Sequence, residues 1–214
     1  DDDNASFSVV GDQLLSAEVF DYETKDTYSI RVSTSDESGL LYEKAFTITI
    51  NNVDEPPTGL TLSNQTIDEN EAVGTAIGTF STTDSDSTLF TYALVPGVGD
   101  DDNASFSISG DQLLSAEVFD YETKDTYTVR VATTDDTGLS YEKAFTITIN
   151  DLNEPPTNIT LSNNTIDENE VIGTLVGTLA SIDPDSSTFT YTLVPGAGDD
   201  DNASFNLTGD QLLS

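Results

Sequence analysis

The seven residues DDDNASF begin at Asp1, at Asp100 and at Asp199, so the chain repeats itself every 99 residues. The same step relates GDQLLS at Gly11, Gly110 and Gly209, FDYETKDTY at Phe20 and Phe119, TIDENE at Thr66 and Thr165, and YEKAFTITIN at Tyr42 and Tyr141. A period of that length is a whole small domain. The chain must therefore fold as near-equivalent modules that each bury their own core and touch mainly their neighbours.

Within one period the pattern is β. Alternating or β-rich runs cover 60–67, 73–82, 89–95, 105–109, 112–116, 127–133 and 141–149, separated by turn signals such as Pro96-Gly97, Ser109-Gly110-Asp111 and Thr137-Gly138. No helical period of useful length competes. About seven short strands in about 100 residues predict an all-β fold of tandem seven-stranded Greek-key β-sandwiches in a linear array. The expected core is Phe90, Tyr92, Leu94, Phe106, Ile108, Leu113, Tyr127, Val129, Val131, Phe145, Ile147 and Ile149.

Module boundaries are expected at the stiff pairs Pro56-Pro57 and Pro155-Pro156. Residues 54–151 then form one complete repeat, 1–53 the C-terminal half of a preceding one and 152–214 the N-terminal part of the next. The chain reads as a window on a longer array; an alternative is that the last part of one molecule completes the first part of another.

Composition narrows the chemistry. Forty acidic residues stand against six basic ones, giving a net charge of −34, and His, Cys, Met and Trp are absent. There is no imidazole base, thiolate or disulfide, and nothing to hold a soft metal. Carboxylate, amide and carbonyl oxygens remain, the donors that suit hard cations such as calcium. The charge disfavours nucleic acid and anionic membrane surfaces, and no run of about 18 apolar residues inserts into a bilayer.

In the complete repeat the acids gather at strand ends and loops: Glu69, Asp84 and Asp86, Asp120 and Glu122, Asp135 and Asp136, then Asp151, Asn153 and Glu154. Strand ends collect at the two poles of a sandwich. Two unit charges about 4 Å apart repel by roughly 4 kcal/mol at an effective dielectric near 20, so a nest of carboxylates calls for a cation at neutral pH.

With these motifs the unit resembles a cadherin-like repeat, in the bacterial form found in large surface adhesins. The resemblance covers the whole chain. The family's glutamate motif matches Asp68-Glu69-Asn70 and Asp167-Glu168-Asn169, and its DRE-type motif matches Asp21-Tyr22-Glu23 and Asp120-Tyr121-Glu122. Its linker matches Asp151-Leu152-Asn153-Glu154 and, more loosely, Asn52-Val53-Asp54-Glu55. Its DxD motif matches Asp84-Ser85-Asp86 and Asp183-Pro184-Asp185, and its late-loop aspartate with its glycine matches Asp36…Gly39 and Asp135…Gly138. The linkers depart from the family in ending on Glu and in carrying two prolines.

The resemblance implies calcium at each joint between repeats. At the first joint the implied ligands are Asp21, Glu23, Asp54, Glu55, Asp84, Asp86 and Asp135. At the second they are Glu69, Asp120, Glu122, Asp151, Asn153, Glu154, Asp183 and Asp185. Asp36 and Glu168 belong to further joints. Asn52 stands where the second linker has Asp151, which implies fewer or weaker ions at the first.

The expected function is a calcium-rigidified stalk or extender in a large extracellular adhesin or surface filament of prokaryotic origin. The expected partners are neighbouring repeats and, in a fibre or across cells, identical chains. The alternatives are a recognition module that binds carbohydrate or pairs homophilically, and a laterally bundled fibre. Paired carboxylates also serve glycoside hydrolysis, but these are better placed as ligands, and an enzyme is not expected. The DDDNAS loop reads as a solvated turn before an ion site. The sequons at Asn4, Asn64, Asn103 and Asn158 read as coincidence before glycan acceptors, and the recurrent lysines as partners in local ion pairs.

Overall fold

A computed structural model describes residues 3–214. Sixteen strands follow in order: β1 (Phe7–Val10), β2 (Gln13–Ser16), β3 (Thr27–Ser35), β4 (Leu41–Thr49), β5 (Gly59–Leu62), β6 (Thr66–Asp68), β7 (Ala76–Thr83) and β8 (Thr91–Leu94). Then come β9 (Phe106–Ser109), β10 (Gln112–Ser115), β11 (Thr126–Thr134), β12 (Ser140–Asn150), β13 (Asn158–Leu161), β14 (Leu175–Ile182), β15 (Asn206–Thr208) and β16 (Gln211–Leu213). Three single 3-10 turns lie at Asn4–Ser6, Asn103–Ser105 and Asn202–Ser204, each inside a DDDNASF copy. Among the described residues no helix is long and apolar enough to cross a membrane.

The chain forms two compact units. The first takes the chain up to Gln65, then Val73–Glu117 and Tyr127–Ile147. It contains a four-stranded sheet of order β5-β7-β10-β9 and the antiparallel pair of β11 with β8. Inward-facing residues at alternate positions fill the sandwich: Leu60, Leu62, Ile77, Phe80, Phe106, Leu113, Tyr127, Val129, Val131, Phe145 and Ile147 are all buried. Phe80 stacks on Tyr92 at 5.2 Å and meets Phe145 at 5.9 Å. Behind them the Thr82 and Thr133 hydroxyls share a 2.7 Å hydrogen bond, so this polar pair in the core is satisfied. The expected core residues Phe90, Tyr92, Leu94 and Ile108 are half-buried.

Run 60–67, expected as one strand, is two. β5 pairs antiparallel with β7, whereas β6 lies in the second unit, parallel to the last residues of β12, which continues there from the first. The physical cause lies at Ser63-Asn64-Gln65. Ser63 N–H bonds the Thr79 carbonyl at 3.0 Å and its hydroxyl accepts Thr79 N–H at 2.9 Å. Asn64 Nδ2 donates to the Ile77 carbonyl at 2.9 Å. These side-chain bonds substitute for the ladder and let the chain leave the sheet. The close approach requires Gly78: a Cβ there would lie 2.6 Å from the Asn64 carbonyl oxygen.

The second unit takes Thr66–Ala72, Val118–Thr126 and Thr148–Ser214. It holds a four-stranded sheet of order β13-β14-β16-β15, and buries Ile67, Phe119, Ile149 and Val176.

The DDDNAS loop is a set of backbone pins. Asp102 Oδ2 accepts Thr128 N–H at 2.8 Å, Asn103 Oδ1 accepts Arg130 N–H at 2.8 Å, and Asn103 Nδ2 donates to the Val95 carbonyl at 3.0 Å. Asp100 Oδ2 accepts Gly97 N–H at 2.9 Å. Arg130, not a lysine, pairs with Glu142, at 2.8 Å, while Lys143 donates to the Leu60 carbonyl at 2.9 Å.

Candidate metal centre

Among the described residues each compact unit contains one cluster of acids, assembled from segments far apart in sequence. In the second unit the organiser is Glu69, only 1% exposed. Its Oε2 accepts Tyr121 N–H at 2.9 Å and its Oε1 accepts Leu152 N–H at 2.8 Å. One buried carboxylate thereby draws the loops at 121 and 152 to the end of β6. The chain reaches this position through Asn70, whose φ of +62° is a left-handed conformation that Asn tolerates better than most residues. Asn70 Nδ2 also donates to Glu154 Oε1.

Around this organiser, carboxylate oxygens of Glu69, Glu122 and Asp151 lie within 4.8 Å of one another, as do those of Glu122, Glu154 and Asp185. Glu122 belongs to both triads. Asp185 Oδ2 accepts Glu154 N–H at 2.7 Å, and Asp183 Oδ1 accepts the N–H groups of Asp185 at 2.9 Å and Ser186 at 2.7 Å. Asp120 Oδ1 accepts Thr123 N–H at 3.0 Å, and Asn153 Nδ2 donates to the Glu154 carbonyl at 3.1 Å. Those two residues and Asp183 lie outside the triads.

In the first unit one triad forms, from Glu23, Glu55 and Asp86, again within 4.8 Å. Asn52 Nδ2 donates to Asp86 Oδ1 at 2.9 Å and Glu55 N–H to Asp86 Oδ2 at 3.1 Å. Asp21, Asp54, Asp84 and Asp135 lie outside it. Asp21 caps its own turn through Thr24, and Asp54 accepts from the Thr137 hydroxyl.

The carboxylates at Asp84 and Asp135 are lopsided. Asp135, 6% exposed, gathers the N–H groups of Thr137, Gly138 and Leu139 on Oδ1 at 2.8–2.9 Å, and shares the single Thr137 hydroxyl proton with Asp54. Asp84 Oδ1 takes the N–H groups of Asp86 and Ser87, both at 2.8 Å. In both, Oδ2 is buried with no hydrogen-bond partner, and so is Oε2 of Glu154. A buried carboxylate oxygen without a donor is costly unless something positive completes it. The donor set is oxygen throughout, which fits a hard divalent cation.

The charges register the crowding. Burial pushes the Asp151 carboxyl up, with the charges of Asp185 and Glu69 adding to it. Burial also raises Glu154, against the pull of the Asn70 amide and with the charges of Glu69 and Asp185. Glu55 is raised chiefly by its contact with Asp86, then by burial and the charge of Glu23. Asp86 moves the other way, down to about 2, because the Asn52 amide and then the Glu55 N–H stabilise its charge. Burial acts to raise Asp135, but the Thr137 hydroxyl and the N–H groups of Leu139, Thr137 and Gly138 hold it below its ordinary value.

Of the acids expected at the two linkers, eight fall in triads: Glu23, Glu55 and Asp86 in the first unit, and Glu69, Glu122, Asp151, Glu154 and Asp185 in the second. Sequence reading took Asn52 only as a weaker counterpart of Asp151, and assigned no role to the Asn70 amide or the Thr137 hydroxyl. The available signal for Asn70 was its place directly after the glutamate in both TIDENE copies.

The fold and site define a class of β-sandwich repeat whose loops gather acids from separated segments, and the comparisons specify it. Residues 63–150 match the family model described as cadherin domain. Human Protocadherin Fat 4 is 28% identical over 200 residues, which is 85% of this chain and 4% of that protein. Among solved structures, the Protocadherin gammaB7 EC3-6 cis-dimer aligns with a TM-score of 0.64 and 20% identity over 99% of this chain and 55% of that one. Protocadherin Gamma B2 extracellular cadherin domains 1–5 align at 0.65, with 18% identity over 100% and 44%. Mouse Cadherin-23 EC22-24 aligns at 0.60, with 22% identity over 94% and 68%. Residues 63–150 thus carry the cadherin-domain match, and the motifs within them recur at the 99-residue step along the chain.

Proposed function

We propose that the chain is a calcium-coupled structural segment of an extracellular adhesion protein, with ions held at the two linkers, 52–55 and 151–154, and repeat boundaries at the proline pairs. The ligand sets are those expected from the sequence: Asp21, Glu23, Asp54, Glu55, Asp84, Asp86 and Asp135 at the first linker, and Glu69, Asp120, Glu122, Asp151, Asn153, Glu154, Asp183 and Asp185 at the second. The role is that of a stalk or extender, without catalysis. Support comes above all from the bare buried oxygens of Asp84, Asp135 and Glu154, together with the carboxylate triads of each unit. A divalent cation completes such oxygens and cancels the repulsion between their neighbours. The extended Pro-Pro backbone keeps each connection short. The extracellular setting rests on the similarity to cadherin ectodomains. The prokaryotic surface expected from the sequence has no support in the comparisons, whose curated match is human.

Titration calorimetry on the chelated chain, paired with small-angle scattering, tests this reading. The expected result is saturable calcium uptake and a longer, better defined particle when loaded. No heat at millimolar calcium, or scattering curves that coincide with and without chelator, overturn it.

Pairing with a second copy is the second reading, favoured by the fact that one aligned structure is a cis-dimer. Calcium-dependent association in sedimentation velocity is its expected signature.

A further inference from the structure

We propose that the linker at 151–154 hinges only at Asn153 and Glu154, because Glu69 is a metal-independent latch that fixes the chain up to Leu152. This deepens the calcium-coupled reading above by naming what bends when no ion is bound. The latch itself needs no ion.

The near side of this linker is satisfied by the chain alone. Glu69 is 1% exposed, and each carboxylate oxygen accepts one backbone N–H: Tyr121 on Oε2 at 2.9 Å and Leu152 on Oε1 at 2.8 Å. Hydrogen bonds to an ionised carboxylate are stronger than those between neutral groups. The backbone around Glu69 is held too. Glu69 N–H reaches the Asn150 carbonyl at 3.2 Å and Asn70 N–H the Phe119 carbonyl at 3.0 Å, while β6 runs parallel to Thr148, Ile149 and Asn150. The Asn150 amide donates to Asp68 Oδ1 at 2.8 Å, and Ile149 N–H reaches the Asp125 carbonyl at 2.9 Å. On these same segments Ile67, Phe119 and Ile149 are buried. Every carboxylate oxygen has a second lone pair, so Glu69 still has a face to offer a cation.

Beyond Leu152 the balance changes. Pro155 and Pro156 restrict their own φ angles, and Thr157 is back in a ladder, its N–H and hydroxyl both on the Ile182 carbonyl, at 2.8 and 3.2 Å. Between those stiff ends stand Asn153 and Glu154. Glu154 N–H meets Asp185 Oδ2 at 2.7 Å, and the Asn70 amide meets Glu154 Oε1. Yet the Glu154 carboxylate lies in a triad with Glu122 and Asp185, within 4.8 Å, and its Oε2 is buried without a hydrogen-bond partner. Like charges at that spacing work against the contact to Asp185 unless a cation lies among them. The chain therefore closes one end of the linker by itself and leaves the other to an ion.

Amide-resolved hydrogen exchange and backbone amide relaxation on the full chain in chelator test this. The Tyr121 and Leu152 amides are expected to exchange about tenfold or more slower than that of Glu154. Order parameters should fall below about 0.6 at Asn153 and Glu154 and stay at about 0.85 at Leu152 and Thr157. Glu69→Gln keeps one acceptor oxygen and replaces the other with a donor. It should speed one of the two latched amides by about tenfold or more, and leave those of Ile149 and Asn70, which rest on backbone carbonyls, slow. General loosening would speed all four. Leu152 exchanging as fast as Glu154 in the unaltered chain, both latched amides staying slow in Glu69→Gln, or low order spread evenly over 150–154 overturns this proposal. Calcium is the separate arm: it should slow the Glu154 amide and raise the order of Asn153 and Glu154. If millimolar calcium changes neither while Tyr121 and Leu152 keep their protection, the calcium-coupled reading falls and the latch and hinge stand.

Discussion

The ten residues YEKAFTITIN occur at Tyr42 and at Tyr141 with opposite fates. In β12 the Phe145, Ile147 and Ile149 side chains are 5%, 0% and 1% exposed. In β4 the equivalent Phe46 is 43% exposed, and Ile48 and Ile50 are half-buried. Leu113 in β10 is sealed, whereas Leu14 in β2 is 42% exposed. What stays constant is local. Ser29 N–H reaches Asp3 Oδ2 at 2.8 Å just as Thr128 N–H reaches Asp102 Oδ2 at 2.8 Å, and Arg31 pairs with Glu43 as Arg130 pairs with Glu142. β3 and β4 pair in register from Thr27–Thr49 to Ser35–Leu41, and β11 and β12 are likewise hydrogen-bonded neighbours. Among the described residues β1 to β4 form only two two-stranded sheets, and an open groove of about 270 Å³ lined by Phe7, Val9, Leu14, Ile30 and Val32 lies along them. Hydrogen-bonded strands and pinned loops arise from short-range sequence, whereas burial depends on a second sheet being present.

The comparison breaks first, and most visibly, at the paired phenylalanines. Phe145→Ala should cost about 3–5 kcal/mol, the range for emptying a sealed aromatic site, whereas Phe46→Ala should cost about 1 kcal/mol. Hydrogen exchange of β12 and β4 amides in the two variants measures the gap, and equal losses would mean that β4 is covered in solution.

A smaller effect should be shared by the middle and last repeats. Gly78→Ala would bring a Cβ to 2.6 Å from the Asn64 carbonyl oxygen, and Gly177→Ala one to 2.4 Å from that of Asn163. Each should lose about 1–3 kcal/mol, the cost of forced overpacking, whatever the burial of the surrounding sheet. Urea unfolding of both variants checks this, and a neutral result at either position would show that the departing chain can move aside.

The smallest effect sharpens the local half of the comparison. Lys25 first, and Ser29 N–H next, hold the Asp3 carboxyl below its ordinary value of 3.8. A depressed folded-state value means that the pin contributes above pH 3.8 and is lost as pH falls through the folded value. Lys25→Ala should raise the Asp3 midpoint toward 3.8 in a carboxyl-detected NMR titration; an unmoved midpoint would remove Lys25 as its cause.

Much of the candidate centre was readable because its motifs recur at a fixed step and hold only oxygen donors. Asp84-Ser85-Asp86 and Asp183-Pro184-Asp185 announced loops rich in carboxylate oxygens, and the runs at 127–133 and 141–149 announced strands that β11 and β12 extend by only a residue at each end. The run at 60–67 misled, because alternation continues across Ser63-Asn64-Gln65 while the hydrogen bonds do not. The 3-10 turns escaped because Asn-Ala-Ser has no apolar period to display.

By itself, then, the sequence determined the 99-residue module, its all-β character and its acid-rich linkers, because each is written in residue types at short spacing. Tertiary structure alone decided which copy of a repeated strand is sealed, that Glu69 draws in the loops at 121 and 152, and that the Asn52 amide reaches Asp86. Those outcomes depend on which distant segments share one pole of a sandwich, and a periodic sequence spells each segment alike wherever it lands.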